Sequence, residues 1–201
     1  MHYTDRWVSG KNGQEGHPFY SFTVSCFYYN LYIERKPMKN SILELNGLSE
    51  EKLHQLSYRS KLGLSLKNTL HHFEKNQILS ELIEMRRWLN ELDLLDEVDL
   101  DYRIKSVESI EGKYNRYINS NRQTRQIFND ILGFRGFCDD YDDVRDLDSS
   151  IFHIADMTKG KKNDDGYRGM HIYYEVDNFT YPIEIQFKTL YDRQINNWLH
   201  D

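Results

Sequence analysis

Two short segments near the C-terminus, residues 170–176 and 183–188, constrain the fold more than any other part of the sequence. Both alternate between apolar and polar side chains, which is the pattern of a β-strand whose two faces differ. Turn-forming residues from Asp177 to Thr180 separate them, so the two strands are predicted to form a hairpin. One predicted face is apolar and contains Met170, Ile172, Tyr174, Val176, Ile183, Ile185 and Phe187.

The opposite face of this predicted hairpin is polar and contains His171, Tyr173, Glu175, Glu184, Gln186 and Lys188. Strand alternation usually means only that one face is wet. Here, however, one surface combines an imidazole, carboxylates, an amide and an amine. Sites of phosphoryl transfer use these groups: a carboxylate for a metal, cations for phosphate and a proton acceptor.

Composition narrows the class of protein. The 201 residues, 39% hydrophobic and 29% charged, are typical of a globular chain with one or two units. The net charge of -6 argues against broad non-specific binding of nucleic acid. Cys26 and Cys138 lie far apart in apolar stretches, as free buried thiols do. Neither a signal peptide nor an 18-residue apolar stretch is visible, so we expect a cytoplasmic protein without membrane attachment.

Residues 1–98 are predicted to form a mostly helical region that packs on the catalytic unit. A buried helix is predicted from about Pro18 to Lys36, although its middle also fits a strand. Ser49 is predicted to cap a helix. Apolar residues at helical spacing between 64 and 95 predict one long helix, or two helices with a break near Lys75.

Residues 99–201 alternate between strands and helices and form the predicted catalytic core. Strands are predicted at 100–105 and 131–138, followed by the hairpin. Helices are predicted after Ser106, at 122–129 and at 191–200. A loop of about 30 residues, with a short helix near 150–157, is predicted between the second strand and the hairpin. This order indicates an α/β (α+β) fold in which helices flank a mixed β-sheet.

Three cations lie around the first predicted strand-to-helix junction. Arg103 and Lys105 project from the same face of the strand, and Lys113 lies two turns into the helix. Because backbone N–H groups also point outward at a helix start, this junction could hold a polyphosphate. A solvated basic strand edge fits the same pattern.

Asp130 enters an apolar strand, followed by Gly133, Arg135 and Gly136. A carboxylate there is costly unless it binds a metal or caps the backbone, and the pattern fits either. Together with Glu184 of the hairpin, Asp130 would give two carboxylates from different strands, a common way to hold Mg²⁺ beside a triphosphate.

A basic loop, residues 159–168, ends in Tyr167 and Arg168. Such a loop could close over phosphates while Tyr167 stacks on a base, or it could be a plain surface loop. His171 lies within cross-strand reach of the carboxylate face, although a lone histidine is more often structural than catalytic.

Taken in order, these pieces resemble the synthetase domain of the RelA/SpoT family. The matching strings are Arg103-x-Lys105-Ser106-x-x-Ser109-Ile110-x-x-Lys113, Asp130-Ile-Leu-Gly133-x-Arg135, Gly166-Tyr167-x-x-x-His171 and Glu184-Ile-Gln186-x-Lys188-Thr189. Two differences stand out: Gly169 replaces a serine of well-known alarmone synthetases, and Lys188 replaces their usual arginine.

The resemblance implies a nucleotidyltransferase-like mixed sheet and Mg²⁺-dependent transfer of pyrophosphate from ATP to a ribose 3'-hydroxyl. By position, Arg103, Lys105 and Lys113 would hold the ATP phosphates. Asp130 and Glu184 would bind Mg²⁺, with Glu184 also assisting loss of the hydroxyl proton. The remaining implied nucleotide-binding or catalytic residues are Ser109, Arg135, Tyr167 (stacked on the acceptor base), Arg168, His171, Gln186 and Lys188.

The end of the chain, from Phe187 to His200, resembles the toxic small synthetases of toxin-antitoxin and phage-defence systems. This resemblance implies the 3'-CCA end of tRNA as acceptor, with translation blocked as a result, and an antitoxin protein as partner. A small alarmone synthetase acting on GTP or GDP is the alternative, and a silent nucleotide- or partner-binding module is a second one. The N-terminal region lacks an evident metal-binding His-Asp set, so no hydrolase activity is expected. The oligomeric state stays open.

Overall fold

The computed structural model describes residues 41–160 and 164–198. The helix predicted between Pro18 and Lys36 lies outside them, as do residues 199–201 at the end of the predicted C-terminal helix. The helical region contains α1 (Ser41–Leu45), α2 (Glu50–Gln55) and α3 (Lys75–Asn90), with 3-10 turns at Leu70–His72 and Asp93–Glu97.

Side-chain caps define where two of these helices begin. Ser49 caps α2, as predicted, and its hydroxyl accepts a hydrogen bond from the backbone N–H of Lys52 at 3.2 Å. The carboxylate of Glu74 accepts from the backbone N–H of Gln77 at 2.9 Å and caps α3. The buried apolar side chains of α3 recur at helical spacing and are Ile78, Leu82, Met85 and Leu89.

The helix predicted from residue 64 is wrong in its first part, because α3 begins only at Lys75. Residues 64–69 form a turn, in which the backbone N–H of Asn68 donates to the carbonyl of Ser65 at 3.0 Å, and they also hydrogen-bond to distant segments. The backbone N–H of Leu66 donates to the carbonyl of Asn178 at 2.8 Å, and its carbonyl accepts from Arg125 at 3.0 Å. These tertiary bonds satisfy the backbone groups that a helix would otherwise use.

The second half contains five strands and four helices within the described residues. The strands are β1 (Asp101–Ile104), β2 (Leu132–Phe137), β3 (Phe152–Asp156), β4 (Met170–Tyr174) and β5 (Ile183–Lys188). The helices are α4 (Val107–Tyr117), α5 (Thr124–Ile127), α6 (Asp142–Arg145) and α7 (Leu190–Trp198). The helix predicted at 122–129 is therefore reduced to the single turn α5.

The strands form one mixed sheet in the order β1-β2-β5-β4-β3. β2 and β5 pair in parallel, while the other neighbours pair antiparallel. The predicted hairpin is confirmed as β4 and β5, and the predicted mixed sheet with flanking helices is confirmed. Val176 lies beyond the end of β4 and is 41% exposed, so it does not belong to the apolar face.

The short helix predicted near residues 150–157 is wrong, because residues 152–156 form the edge strand β3. Each residue of β3 pairs with one of β4, from Phe152 opposite Tyr174 to Asp156 opposite Met170. A run of five residues without strong turn signals is ambiguous in sequence, and the free edge of β4 decides its conformation.

The sheet has one apolar and one polar face. The apolar face includes Ile185, which pairs with Phe134 on one neighbouring strand and with Ile172 on the other. All three side chains are fully buried. Gly136 lies on the same face, where an added Cβ would meet the ring of Phe187 at 2.7 Å and a methyl group of Leu100 at 2.8 Å. The glycine therefore allows close packing of the core.

A buried hydrogen-bond network attaches the helical region to the start of β5. Glu81 of α3 is 5% exposed, and its Oε1 accepts from the hydroxyls of Ser60 at 2.7 Å and Tyr181 at 2.9 Å. Because Tyr181 precedes β5 by two residues, this network fixes the strand that presents Glu184. No helix in the described part of the chain is long and apolar enough to cross a membrane.

Candidate active site

Strand register brings the predicted site residues together on the polar face of the sheet. One transverse row runs Arg103, Gly133, Glu184, Tyr173 and His153 across all five strands. The next row runs Asp101, Arg135, Gln186, His171 and Ala155. Neighbouring strands lie about 5 Å apart, so side chains within a row are in contact range. Residues remote in sequence therefore form one continuous surface.

Asp130 lies at one side of this surface, just before β2, and three cations surround it. Lys105 Nζ donates to its Oδ2 at 2.8 Å, and Lys113 Nζ donates to its Oδ1 at 2.8 Å. Arg103 completes the ion cluster with Nη2 at 3.7 Å from Oδ2. We call these four residues the cation cluster. The three cations predicted to form a phosphate cradle thus converge on Asp130, and their binding of phosphate stays a prediction.

Local structure explains how the sequence assembles the cation cluster. Ser106 caps α4 by accepting a hydrogen bond from the backbone N–H of Ser109 at 3.2 Å. The chain therefore turns from β1 directly into α4, so that Lys113 reaches back to Asp130 and also donates to the carbonyl of Ile127 at 3.0 Å. Ser109 lies in the first turn of α4.

The cations keep Asp130 ionised. Burial by itself raises the pKa of this carboxyl, but the charges of Lys113 and Lys105 and their hydrogen bonds outweigh burial and hold the pKa below its ordinary value. One carboxylate faces three positive groups, so the cluster carries excess positive charge. Such a site can accept a polyphosphate in exchange for, or in addition to, the carboxylate.

Glu184 is the second buried carboxylate, and its hydrogen-bond partners differ from those of Asp130. Its Oε1 lies 2.9 Å from His171 Nδ1 and accepts from the Tyr173 hydroxyl at 3.1 Å, and its Oε2 accepts from Gln186 Nε2 at 2.8 Å. We call these four residues the glutamate cluster. Its members come from the two strands of the hairpin.

Burial raises the pKa of Glu184, and the negative charge of Asp130 adds to this effect. The hydrogen bond and charge of His171, together with the hydrogen bond from Gln186, outweigh both and leave the pKa below its ordinary value. The effect of Asp130 shows that the two carboxylates interact electrostatically. Glu184 is therefore an ionised oxygen base at neutral pH.

Tyr167 extends the glutamate cluster. Its hydroxyl oxygen lies 2.7 Å from His171 Nε2, and His171 Nδ1 lies 2.9 Å from Glu184, so the histidine ring connects Tyr167 to Glu184. Burial and the charge of Glu184 raise the pKa of Tyr167. Lys188 Nζ lies 4.6 Å from the centroid of the Tyr167 ring and covers one of its faces.

The difference at Gly169 has a physical basis in this arrangement. An added Cβ would lie 3.1 Å from the Tyr167 hydroxyl and 3.2 Å from the carbonyl oxygen of Phe187. Both contacts are tight, so a side chain here would move Tyr167 or the strand. The absence of a side chain at Gly169 therefore leaves room for Tyr167 in its position beside Lys188.

Two predicted site residues, Arg135 and Arg168, lie in different surroundings. Arg135 lies in β2, between Asp101 and Gln186 in the sheet, and burial lowers the pKa of its guanidinium. Arg168 makes a bidentate ion pair with Asp164 of the basic loop, at 2.7 and 2.9 Å. The structure therefore places Arg135 on the polar face but pairs Arg168 with its own loop.

Tyr173 is a site residue that sequence reasoning did not select. Alternation placed it on the polar face, but tyrosine carries no distinctive motif there. The structure shows that its hydroxyl contacts both Glu184 and His171 Nδ1, the latter at 3.3 Å. Register was the missing information, because Tyr173 pairs directly with Glu184.

The donor set fits a divalent cation that shares its coordination with a substrate. Among the residues that the structure describes, no group of three or more histidine, cysteine or acidic side chains could hold a metal ion by itself. Mg²⁺ is commonly held by one or two carboxylates together with substrate phosphates. Asp130 and Glu184 would supply two such carboxylates, and Lys105, Lys113 and Arg103 lie around Asp130.

The polar face of this mixed sheet contains two buried carboxylates and a cation cluster. Sites of this class are suited to substrates that carry phosphate groups. Residues 102–200 match the family described as "Region found in RelA / SpoT proteins". This match agrees with the resemblance that the four motifs carry. The match supports the predicted enzyme class, an ATP-dependent pyrophosphokinase.

Solved structures of small alarmone synthetases from Bacillus subtilis also resemble the chain. Small alarmone synthetase 1, solved with its product pppGpp, has 21% identity and a TM-score of 0.35, covering 60% of this chain and 75% of its own. Small alarmone synthetase 2 has 20% identity and a TM-score of 0.36, covering 63% and 77%. Comparison with curated proteins gave no match.

Proposed function

We propose that this protein transfers pyrophosphate from ATP to the 3'-hydroxyl of the terminal adenosine of tRNA and thereby blocks translation. One observation carries the transfer itself: the cation cluster and the ionised Glu184 lie side by side on one sheet face. The acceptor assignment is supported by the motifs from Phe187 onward that resemble toxic small synthetases. An antitoxin partner belongs to the same proposal.

Binding of ATP would begin at the cation cluster. Lys105 and Lys113 exchange their hydrogen bonds with Asp130 for bonds to phosphate oxygens, and Arg103 adds a planar, multiply donating group. This exchange releases the oxygens of Asp130. Mg²⁺, held by Asp130 and Glu184, would supply charge neutralisation on the transferring phosphates.

Transfer requires a base for the attacking hydroxyl. Glu184 accepts the proton of the 3'-hydroxyl, and the oxygen attacks the β-phosphorus of ATP. A bond forms between that oxygen and the β-phosphorus, the bond to the α,β-bridging oxygen breaks, and AMP leaves. His171 orients Glu184, and Tyr167 in turn orients His171.

Tyr167 has a second role in this proposal. Lys188 covers one face of its ring, and the acceptor base stacks on the other. Arg135 supports the phosphates from the neighbouring strand. Ser109 adds a hydroxyl from the start of α4, and Gln186 holds Glu184.

The test is transfer from ATP labelled at the γ-phosphate, with GTP, GDP, ATP and bulk tRNA offered separately. Label on tRNA together with AMP release is the expected result. A parallel reaction with α-labelled ATP should give labelled AMP and leave tRNA unlabelled. Label on GTP or GDP instead would make the protein an alarmone synthetase, and no transfer to any acceptor would favour a silent binding module.

In cells, expression of the free protein should arrest growth, and Asp130→Ala should abolish this effect. Asp143→Ala, which removes an exposed carboxylate of α6, is the matched control. Growth arrest by the Asp130→Ala variant would rule out pyrophosphate transfer as its cause.

A further inference from the structure

A cavity of about 480 Å³ opens beside the glutamate cluster, where β3 forms the edge of the sheet. Its wall combines side chains from α5 and the residue-129 region, the loop before β3, and strands β3 and β4. The residues that matter for its chemistry are Arg125, Asn129, Ser149, His153, Tyr173 and Glu175. The predicted site residues contribute nothing to this lining.

The cavity shares a wall with the proposed catalytic groups. Tyr173 lines it with its ring while its hydroxyl donates to Glu184 at 3.1 Å. Asn129 lines it and immediately precedes Asp130. A ligand in the cavity would therefore lie next to Glu184, on the side away from the cation cluster, because the row continues from Glu184 through Tyr173 to His153.

The lining is aromatic, polar and close to electroneutral. The rings of His153 and Tyr173 are stacked with centroids 6.2 Å apart and planes at 27°. Arg125 forms an ion pair with Glu175, so the positive charge is compensated. Asn129 and Ser149 add an amide and a hydroxyl that can donate and accept hydrogen bonds.

This chemistry fits a nucleoside rather than a polyphosphate. A base offers a flat face to the aromatic rings and a polar edge to amide and hydroxyl groups. Unlike the cation cluster, this cavity offers no excess positive charge that would bind a triphosphate. The volume lies within the range of about 300–1,000 Å³ typical of small-molecule sites.

We propose that this cavity binds the nucleoside adjacent to the acceptor residue in an RNA strand. The inference rests on the proposed function, and it specifies the substrate class further. A strand that ends at the reacting ribose occupies both the acceptor site at Tyr167 and the cavity at His153. A free mononucleotide occupies only the first, so the cavity selects polynucleotide acceptors.

The test compares equilibrium binding of the trinucleotide CCA and of AMP to the full chain, without ATP. Wild type should bind CCA more tightly than AMP. His153→Ala, which removes an exposed ring of the cavity, should weaken CCA binding about 5- to 150-fold, the range of one lost stacking contact. His71→Ala removes another exposed histidine, which lies in the helical region, and should leave CCA binding unchanged.

A second variant tests whether the effect of His153→Ala arises in the cavity itself. Ser149→Leu fills the cavity from an exposed loop position without offering a new aromatic face, and it should also weaken CCA binding while sparing AMP. Equal affinity of wild type for CCA and AMP, or unchanged CCA binding in both variants, would overturn the cavity proposal.

The same variants separate this proposal from the proposed function. If wild type transfers label to GTP or GDP but not to tRNA, the tRNA assignment fails. The binding comparison still decides the cavity, because it needs no transfer. If tRNA is labelled but His153→Ala and Ser149→Leu label it as wild type does, the function stands and the cavity proposal is wrong.

Discussion

The cation cluster and the glutamate cluster each contain one carboxylate that is almost fully buried, yet their partners differ. Asp130 is 9% exposed and meets three positive groups. Glu184 is 5% exposed and meets a histidine, a tyrosine and an amide. The same chemical group is thus held once by charge and once mainly by hydrogen bonds.

This difference separates two tasks that the proposed reaction requires. The net charge around Asp130 is positive, so this side of the sheet is suited to bind phosphate. Around Glu184 the partners leave a carboxylate whose negative charge is only partly compensated, which prepares it to take a proton. Two carboxylates in different environments are a recurrent way to divide such roles.

The largest effect should come from Glu184→Gln. The amide keeps the size of the side chain but removes the proton acceptor, so transfer should fall by about 10²- to 10⁴-fold, the usual contribution of a general base. Single-turnover transfer with saturating ATP measures the effect. Glu108→Gln, an exposed position of α4, is the control. Near-normal transfer in Glu184→Gln would assign the base to another group.

Asp130→Asn should cost the most stability. Removal of the carboxylate's charge breaks its ion pair with Lys105, whose side chain is only 7% exposed. Breaking a buried ion pair in this way costs about 3–5 kcal/mol of folding stability. Glu184→Gln should cost less, because Glu184 is not paired with a lysine or an arginine. Urea unfolding of both variants, with Asp143→Asn as control, measures the difference. Equal losses would contradict the division into a charge-held and a hydrogen-bond-held carboxylate.

The pH dependence of stability should follow from the lowered pKa of Asp130. Its ordinary value is 3.8, and the folded value lies below it. The ion pairs therefore stabilise the fold fully above about pH 4 and lose this effect as pH falls through the folded pKa. The stability gap between wild type and Asp130→Asn should narrow below pH 4. A gap that stays constant to pH 3 would show that the cations do not control Asp130.

The sequence predicted the polar face better than the region around it. Alternation fixed which side Glu184 and His171 share, and the spacing of Arg103, Lys105 and Lys113 predicted their convergence. These features are local, so propensity and periodicity detect them. The edge strand β3 and the ion pair of Arg168 with Asp164 depend on which segments meet in space, and no local pattern specifies that.

The helical region illustrates the same limit. Apolar residues recur at helical spacing at Leu66, Leu70 and Phe73, but the backbone of Leu66 hydrogen-bonds to Asn178 and Arg125. Apolar spacing predicts that Leu66 and Leu70 are buried, and both are. It does not predict the backbone conformation that buries them.

The smallest expected effect concerns the residue that sequence reasoning missed. Tyr173→Phe removes the hydroxyl that donates to Glu184 but keeps the ring in the cavity wall. At 3.1 Å this hydrogen bond is long for one to a carboxylate, so its loss should cost only about 1 kcal/mol of stability. Because the lost donor favours the ionised form, the pKa of Glu184 should rise, and the acid limb of the pH–rate profile should shift to higher pH.

Tyr191→Phe is the matched control for this change, because Tyr191 is 71% exposed at the start of α7. It should alter neither stability nor the pH–rate profile. The comparison with Asp130 predicts the direction: loss of one neutral donor leaves Glu184 with His171 and Gln186, so transfer persists with a shifted profile. If Tyr173→Phe abolished transfer as Glu184→Gln does, Tyr173 itself would take part in the proton transfer. The glutamate cluster would then be a tyrosine-carboxylate pair rather than a supported base.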